Sequence, residues 1–322
     1  MGVRRTIALV LVLAAAAGAR AAAAGAYGWP VQPFFQPHAL IGVFGDPRTI
    51  FDEPWSADGV DGPGKFSFHN GVDVAAPAAT PVFPVVSGRA FLISGSAVGV
   101  KAANARVFQY YHVEPAVYPG QWVVARHTVL GYVLKWALHV HFGEIDHGRI
   151  TNPLVPGHLG PYADTTRPAV DSIELRDSGG HPVDPGAVQG SVDLVASAYD
   201  TPSLVAPGAT PLPIAPAAMS WSLSTLSGEL VAPFETTVDF RQTLPSNRDF
   251  WHVYARGTYQ NVPTFGGRVL RRTGRYLFHL AREPLDTRLL PNGTYVLRVT
   301  ATDARGNSGE LTRQFTVANS GA

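Results

Sequence analysis

The chain of 322 residues contains no cysteine. Disulfide bonds, thiolate zinc sites, cysteine nucleophiles and lipid-modified cysteine anchors are therefore excluded. The fold must be stabilised by its apolar cores alone. The sequence also lacks the glycine-flanked serine motif of many hydrolases and a phosphate-binding glycine loop.

Charged residues are scarce at 15% of the chain, whereas glycine and proline are abundant, with 33 and 27 copies. This composition favours a turn-rich β protein over a helical bundle, and the length suggests about two domains. Three of the 25 basic residues lie in residues 1–24, and without them 22 basic residues face 24 acidic ones. Such a balance lacks the excess of basic residues that is typical of nucleic-acid-binding proteins, so we expect no nucleic-acid partner.

Residues 1–24 have the pattern of a secretory signal peptide. Arg4 and Arg5 provide the positively charged N-terminal region, and residues 6–19 form a short apolar core. Alanine-rich sequences that fit a signal-peptidase cleavage site follow. The apolar core is too short for a comfortable transmembrane helix, although an uncleaved anchor is the alternative. We expect an exported protein, periplasmic or extracellular, with no stable membrane insertion after signal cleavage.

Two short motifs far apart in the chain carry candidate ligands. His139 and His141 alternate in an apolar run, so on a strand they would project from one face about 6–7 Å apart, a separation that suits one direct ligand and one supporting partner. His69 and Asp73 would stand about 13 Å apart on a straight strand. The chain between them must bend, and Gly71 permits an unusual φ there. We expect His69 on a loop and Asp73 at the start of the next strand.

Together these motifs offer two imidazoles and a carboxylate as metal ligands, with one further histidine for chemistry. Zn²⁺ favours nitrogen and oxygen ligands of this kind. Three protein ligands leave the fourth tetrahedral position open for water, as in catalytic rather than structural sites. The sequence therefore predicts a catalytic zinc site.

Five short motifs follow one another in a fixed order along the first half of the chain. They are His69-x-Gly71-x-Asp73, Ala76-Pro77-x-x-Thr80-Pro81-Val82, Tyr111-His112, Gly120-Gln121-x-Val123 and His139-x-His141-Phe142. In this order and spacing, residues 27–155 resemble the lysostaphin/LytM-type zinc metallopeptidases. These are secreted β-fold endopeptidases that cut the peptide part of the bacterial cell wall.

The resemblance implies that His69, Asp73 and His141 bind Zn²⁺ and that His112 and His139 are catalytic. Zinc lowers the pKa of a bound water and polarises the scissile carbonyl. One catalytic histidine would accept the water's proton and the other would stabilise the oxyanion; which does which stays open. We predict a cell-wall-associated zinc metalloendopeptidase whose partner is the peptide of peptidoglycan cross-links or stem peptides.

Residues 134–138 depart from the family, which usually has a Gly/Ser-rich turn there. This departure favours the alternative function, a non-catalytic protein that keeps the peptidase fold and binds the wall or regulates its hydrolases, whereas the intact set of five candidate residues argues against that alternative. Trp136 and Tyr111 could stack on substrate or pack in the core. Glu144 could support a metal ligand or be a core-edge carboxylate. Residues 51–67 could line the substrate groove or form an ordinary surface loop.

Residues 107–113 predict a strand rich in β-branched and aromatic residues. By alternation along that strand, His112 would share a face with Phe108 and Tyr110. We expect the strand to belong to the sheet that carries the candidate ligands.

A segment rich in proline and glycine, residues 152–168, predicts a domain boundary. We assign residues 25–162 to the metallopeptidase domain, 163–168 to a linker and 169–319 to a second domain. Strict apolar and polar alternation, clearest in 295–301, indicates an antiparallel sandwich in that second part.

The run from Gly293 to Asn307 resembles bacterial immunoglobulin-like or fibronectin-type sandwiches. The second part is longer than such a fold needs, so residues 201–218 and 241–272 are interpreted as insertions. The predicted fold class is all-β, with a lysostaphin-type antiparallel catalytic domain and a C-terminal immunoglobulin-like sandwich. Whether that sandwich binds the wall, acts as a spacer or only stabilises the protein stays open.

Overall fold

The computed structural model describes residues 27–49, 66–205, 211–261 and 273–320. The predicted signal peptide, most of the predicted loop 51–67 and parts of both predicted insertions lie outside the described residues. Within the described ranges, no helix is long and apolar enough to cross a membrane.

The first half is built from short strands separated by turns. They are β1 (Leu40–Gly42), β2 (Pro47–Arg48), β3 (Ser67–Phe68), β4 (Val72–Ala75), β5 (Pro81–Val82), β6 (Gly88–Ser94), β7 (Ala97–Ala102), β8 (Val107–Tyr111), β9 (Val113–Pro115), β10 (Trp122–Val123), β11 (Gly131–Val133), β12 (His139–Asp146) and β13 (Arg149–Thr151). The main antiparallel sheet has the order β1-β4-β12-β8-β7-β6-β10, and β13 pairs with β12. The smaller sheets are β5-β11-β9 and β2-β3.

Strand β12 separates an apolar face from a polar face, because successive side chains of a strand point to opposite sides. Val140 and Phe142 are fully buried in the core of this half. His139 and His141 alternate with them and lie on the other face. The register places His141 opposite Asp73 on β4 and opposite Tyr111 on β8, so the centre of the sheet gathers the candidate ligands.

The described residues of the second half contain six strands of eight to ten residues and two short strands. They are β14 (Ala169–Arg176), β15 (Ser191–Tyr199), β16 (Ala218–Thr225), β17 (Leu230–Asp239), β18 (Leu277–His279), β19 (Leu285–Asp286), β20 (Gly293–Thr302) and β21 (Ser308–Val317), with one short α-helix, α1 (Phe250–Val253), and 3₁₀ turns at Asn247–Asp249 and Thr287–Leu289. One antiparallel sheet is β14-β15-β18 with β19 paired to β15, and the other is β17-β16-β20-β21. The prediction of an all-β, antiparallel fold is confirmed. The immunoglobulin-like assignment stays a prediction.

The two sheets of the second half share one apolar core, and each half of the chain also contributes to the other's core. Phe44 and Phe68 from the first half belong to the core of the second half. Ile214 from the second half is buried in the core of the first. The halves are therefore packed together through apolar side chains as well as joined by the chain near residues 163–168.

Candidate metal centre and active site

Side chains of His69, Asp73 and His141 converge on one buried point. The Nε2 atom of His69 lies 2.7 Å from Nδ1 of His141, and Oδ1 of Asp73 lies 3.1 Å from each of these nitrogens. A tetrahedral ion with bonds of about 2.1 Å holds its ligand atoms about 3.4 Å apart. Two imidazole nitrogens and one carboxylate oxygen in this triangle fit a zinc-sized cation after a shift of a few tenths of an ångström.

The loop between β3 and β4 brings His69 and Asp73 together, and Gly71 makes its path possible. His69 follows β3 and Asp73 is the second residue of β4, as expected. The expectation of an unusual φ at Gly71 is wrong, because its φ lies outside the left-handed region. Close packing explains the glycine instead. A Cβ at position 71 would lie 2.3 Å from the carbonyl oxygen of Phe142 and 2.8 Å from Nε2 of His141.

Backbone carbonyls fix the ring orientation of two histidines. Nδ1 of His69 lies 2.8 Å from the Val43 oxygen, and Nδ1 of His139 lies 2.8 Å from the Ala137 oxygen. A carbonyl only accepts, so each Nδ1 carries the hydrogen and each Nε2 offers a lone pair. Nε2 of His69 belongs to the triangle, and Nε2 of His139 lies 3.7 Å from Oδ1 of Asp73.

The outer oxygen of Asp73 is held by Arg48, a residue that the sequence analysis did not single out. Nη2 of Arg48 donates to Oδ2 of Asp73 at 2.7 Å, which leaves Oδ1 directed at the triangle. Gly42 gives this pair its space, because a Cβ there would lie 2.5 Å from Oδ2 of Asp73. No local sequence pattern marks Arg48, because Asp46 also carries a charge in this segment and the partner Asp73 lies 25 residues later in the chain.

Burial keeps three histidines beside or within the triangle, His69, His112 and His139, in the neutral form. It lowers the pKa of His69 to about 3, assisted by the charge of Arg48. Burial likewise lowers the pKa of His112 to about 3, and it lowers the pKa of His139 against the opposing effect of Asp73. Burial alone would raise the pKa of Asp73, but His69, His139 and Arg48 outweigh it and hold that pKa well below its usual range. Neutral imidazole and ionised carboxylate are the forms that bind a metal.

His112 reaches the same centre by a turn of the backbone. Its φ is +64°, which ends β8 and begins β9. The predicted alternation is therefore wrong at this residue: Phe108 and Tyr110 are buried in the core, whereas the His112 ring lies 4.6 Å from the ring of His139. Two histidines outside the ligand triangle thus stand beside it.

Aromatic side chains border the centre. Trp136 is 57% exposed, and its ring meets that of His112 edge-on at 5.0 Å. Tyr111 is half-buried, with its ring 5.3 Å from that of His141. Trp136 therefore presents apolar surface to solvent next to the histidines.

Glu144 belongs to a separate network on the opposite face of β12. The residue is fully buried. Its carboxylate lies 2.8 Å from Arg106 and 2.9 Å from Nδ1 of His158, and it accepts a hydrogen bond from the Tyr27 hydroxyl. Of the two interpretations left open by the sequence, the structure supports a core carboxylate rather than a partner of a metal ligand.

The structure also gathers three acidic side chains that the sequence analysis did not connect, namely Asp164, Asp200 and Asp303. One oxygen from each lies within 4.8 Å of the others. The Tyr162 hydroxyl donates to Asp164 at 2.8 Å, and the Asn307 amide donates to Asp303 at 2.6 Å. Burial, together with the charges of Asp164 and Asp303, raises the pKa of Asp200 to about 7. These residues meet only through long-range topology.

No family model matches the chain, and neither does any curated protein. Among solved structures, a chain of the SpoIIQ–SpoIIIAH pore-forming complex is 20% identical over 40% of this chain and 88% of that chain, with a TM-score of 0.31. A mutant catalytic domain of the prophage-encoded M23 protein EnpA from Enterococcus faecalis is 25% identical over 37% of this chain and 88% of its own, with a TM-score of 0.27. The M23 metalloprotease pseudoalterin is 14% identical over 48% and 84%, with a TM-score of 0.27. Two of these three structural neighbours are M23 proteins.

Proposed function

We propose that this protein is an exported zinc metalloendopeptidase that hydrolyses peptide bonds of peptidoglycan cross-links or stem peptides. The observation that carries the proposal is the triangle of His69, Asp73 and His141 with His112 and His139 beside it. A zinc ion held by the three ligands supplies a Lewis acid for the scissile carbonyl and lowers the pKa of a water. The ordered motifs of the first half support the peptidoglycan substrate, and the signal-like residues 1–24 support export.

The orientation of His139 suggests its role. Its Nδ1 hydrogen is engaged by the Ala137 carbonyl, so Nε2 has a lone pair near the ligand triangle and accepts the proton of the attacking water. The neutral ring of His112 retains one N–H, and this group donates to the developing oxyanion. Trp136 covers an apolar part of the substrate beside these two rings.

The test combines zinc content with release of peptides from purified sacculi. We expect wild-type protein to bind one zinc ion and to release peptides with new amino termini. His141→Ala should lose both properties. His139→Ala should keep zinc and lose at least about 100-fold in activity, the range for a general base. His147→Ala alters an exposed histidine outside the cluster and should change neither.

The alternative function has its own outcome in this experiment. Wild-type protein that binds zinc and sacculi but releases no peptide from any wall chemotype would support a wall-binding or regulatory protein and contradict the peptidase proposal. Equal activity of wild type and His141→Ala would contradict a role for the ligand triangle.

A further inference from the structure

We propose that residues 43–49, named here the bridging segment, couple the packing of the second half of the chain to the geometry of the metal centre. The inference rests on the proposed function of that centre. It makes the second half a positioning element for the metal ligands rather than only a spacer or a wall-binding module.

The bridging segment holds His69 at three points. The Val43 carbonyl accepts from Nδ1 of His69 at 2.8 Å. The His69 amide donates to the Asp46 carbonyl at 2.8 Å, and the Gly45 amide donates to the His69 carbonyl at 2.9 Å. Both the main chain and the ring of this ligand therefore follow the position of the segment.

The same segment holds Asp73 through Arg48. Nη2 of Arg48 lies 2.7 Å from Oδ2 of Asp73, and its Nη1 lies 3.9 Å from Oδ2 of Asp46. Asp46 is itself fixed, because its Oδ2 accepts from the Val43 amide at 3.0 Å. The guanidinium thus spans two carboxylates with a rigid fork, a geometry that determines which oxygen of Asp73 faces the triangle.

Hydrogen bonds from the second half hold the bridging segment from behind. The Ala215 amide donates to Oδ1 of Asp46 at 2.7 Å. The Tyr254 hydroxyl donates to the Gly45 carbonyl at 2.7 Å. The acceptors belong to Asp46 and Gly45, which are themselves hydrogen-bonded to the backbone of His69. Each bond from the second half therefore holds a residue in direct contact with a candidate metal ligand.

Packing and an amide pair reinforce the same connection. Gly45 has a φ of +92°, and a Cβ there would lie 2.3 Å from the ring of Phe240. Phe44 is buried in the core of the second half. The Thr49 amide donates to Oε1 of Gln260 at 2.6 Å, and the Gln260 amide donates to the Thr49 hydroxyl at 3.0 Å. Two of the three ligands are therefore supported by a segment whose far side is packed by the second half.

The test compares two buried tyrosines that each donate to a backbone carbonyl. Tyr254→Phe removes the bond to Gly45, and Tyr295→Phe removes a bond to Pro291 of 2.8 Å elsewhere in the second half. In the full chain we measure zinc affinity by chelator competition together with the thermal midpoint. Both variants should lose similar stability, but only Tyr254→Phe should bind zinc more weakly, by about tenfold, the lower end for groups that orient metal ligands.

A charge-conserving substitution tests the arginine independently. Arg48→Lys keeps the positive charge and loses the fork, so zinc affinity should fall about tenfold or more, and the visible spectrum of the Co²⁺-loaded protein should change with the ligand geometry. Arg288→Lys, which alters an exposed pair with Asp286, should leave affinity and spectrum unchanged. A thermal effect without a change in affinity or spectrum would indicate a merely structural role for Arg48.

The outcomes separate the two levels of the argument. Wild-type protein that binds no zinc would overturn the proposed function itself. Zinc-binding wild type with equal affinities in Tyr254→Phe and Tyr295→Phe would overturn the coupling alone.

Discussion

Asp200 is a carboxyl group whose charged form is disfavoured by the fold, and replacing it with asparagine gives a prediction with a worked magnitude. Burial, followed by the charges of Asp164 and Asp303, raises its pKa from 3.8 to about 7. The residue is only 2% exposed. Asparagine keeps an oxygen for the 2.8 Å bond from the Thr201 amide and resembles the protonated acid, but it cannot ionise.

The sign follows from proton binding in the two states. Between pH 3.8 and about 7, the folded state holds a proton on Asp200 that the unfolded chain releases, so wild-type stability falls as pH rises, by about 1.4 kcal/mol per pH unit. Across the window this amounts to about 4 kcal/mol, or about 2 kcal/mol if residual solvent access screens half of it. The Asp200→Asn variant does not lose stability in this way. Its free energy of unfolding should equal that of the wild type near pH 4 and exceed it by about 2 to 4 kcal/mol near pH 8.

Denaturant unfolding of both proteins at about pH 4, 6 and 8 measures the difference. Asp171→Asn is the control, because Asp171 is exposed on β14 and its substitution should give a small difference at every pH. A stability difference between Asp200→Asn and wild type that does not grow with pH would refute the reasoning about the buried acidic group.

Three further substitutions test other features. Gly71→Ala should weaken zinc binding at least about tenfold in chelator competition, because the new methyl group would lie 2.3 Å from the Phe142 carbonyl oxygen. Gly143→Ala is the control and should leave zinc binding unchanged, because its methyl group would have no neighbour closer than 3.5 Å. Equal effects of the two substitutions would contradict the packing argument. Glu144→Gln should cost about 3 kcal/mol in denaturant unfolding by breaking a buried charge network while zinc affinity is retained, and a loss of zinc would show that this network supports the metal centre. Trp136→Ala should raise KM for a wall peptide about tenfold with little change in kcat, and an effect on kcat alone in steady-state kinetics would argue against a substrate wall.

Alternation predicted strand β20 because its apolar residues form one buried face: Tyr295, Leu297, Val299 and Ala301 are buried, whereas the residues between them are not. Strand β20 covers the predicted run 295–301 and extends two residues before it and one residue after it. The physical rule is local there: a period of two follows from the pleat, and the core selects the apolar set. Sequence alone was therefore sufficient for the fold class. Strands β16 and β17 were not predicted, because Ala218–Trp221 is buried at consecutive positions and β17 is mostly exposed.

The same rules failed where tertiary contacts decide. At His112 the backbone leaves the strand with φ +64°, so alternation gave the wrong face. Gly71 was explained by conformational freedom, yet its neighbours Phe142 and His141 come from a strand about 70 residues later in the chain. Arg48 was not identified because it lies on β2 and its partner Asp73 lies on β4, and no local pattern encodes the approach of two strands that do not pair with each other.

The burial of Phe44 and Phe68 in the core of the second half has a consequence for any shortened form of the protein. A fragment ending near residue 168 would carry both rings, now in the core of the second half, on its surface, at a cost of about 1.5–3 kcal/mol for each ring returned to water. Such a fragment would be prone to self-association. Exchange of the C-terminal portion between homologous chains would then require matching substitutions at both aromatic positions, so the two halves are expected to evolve as one unit.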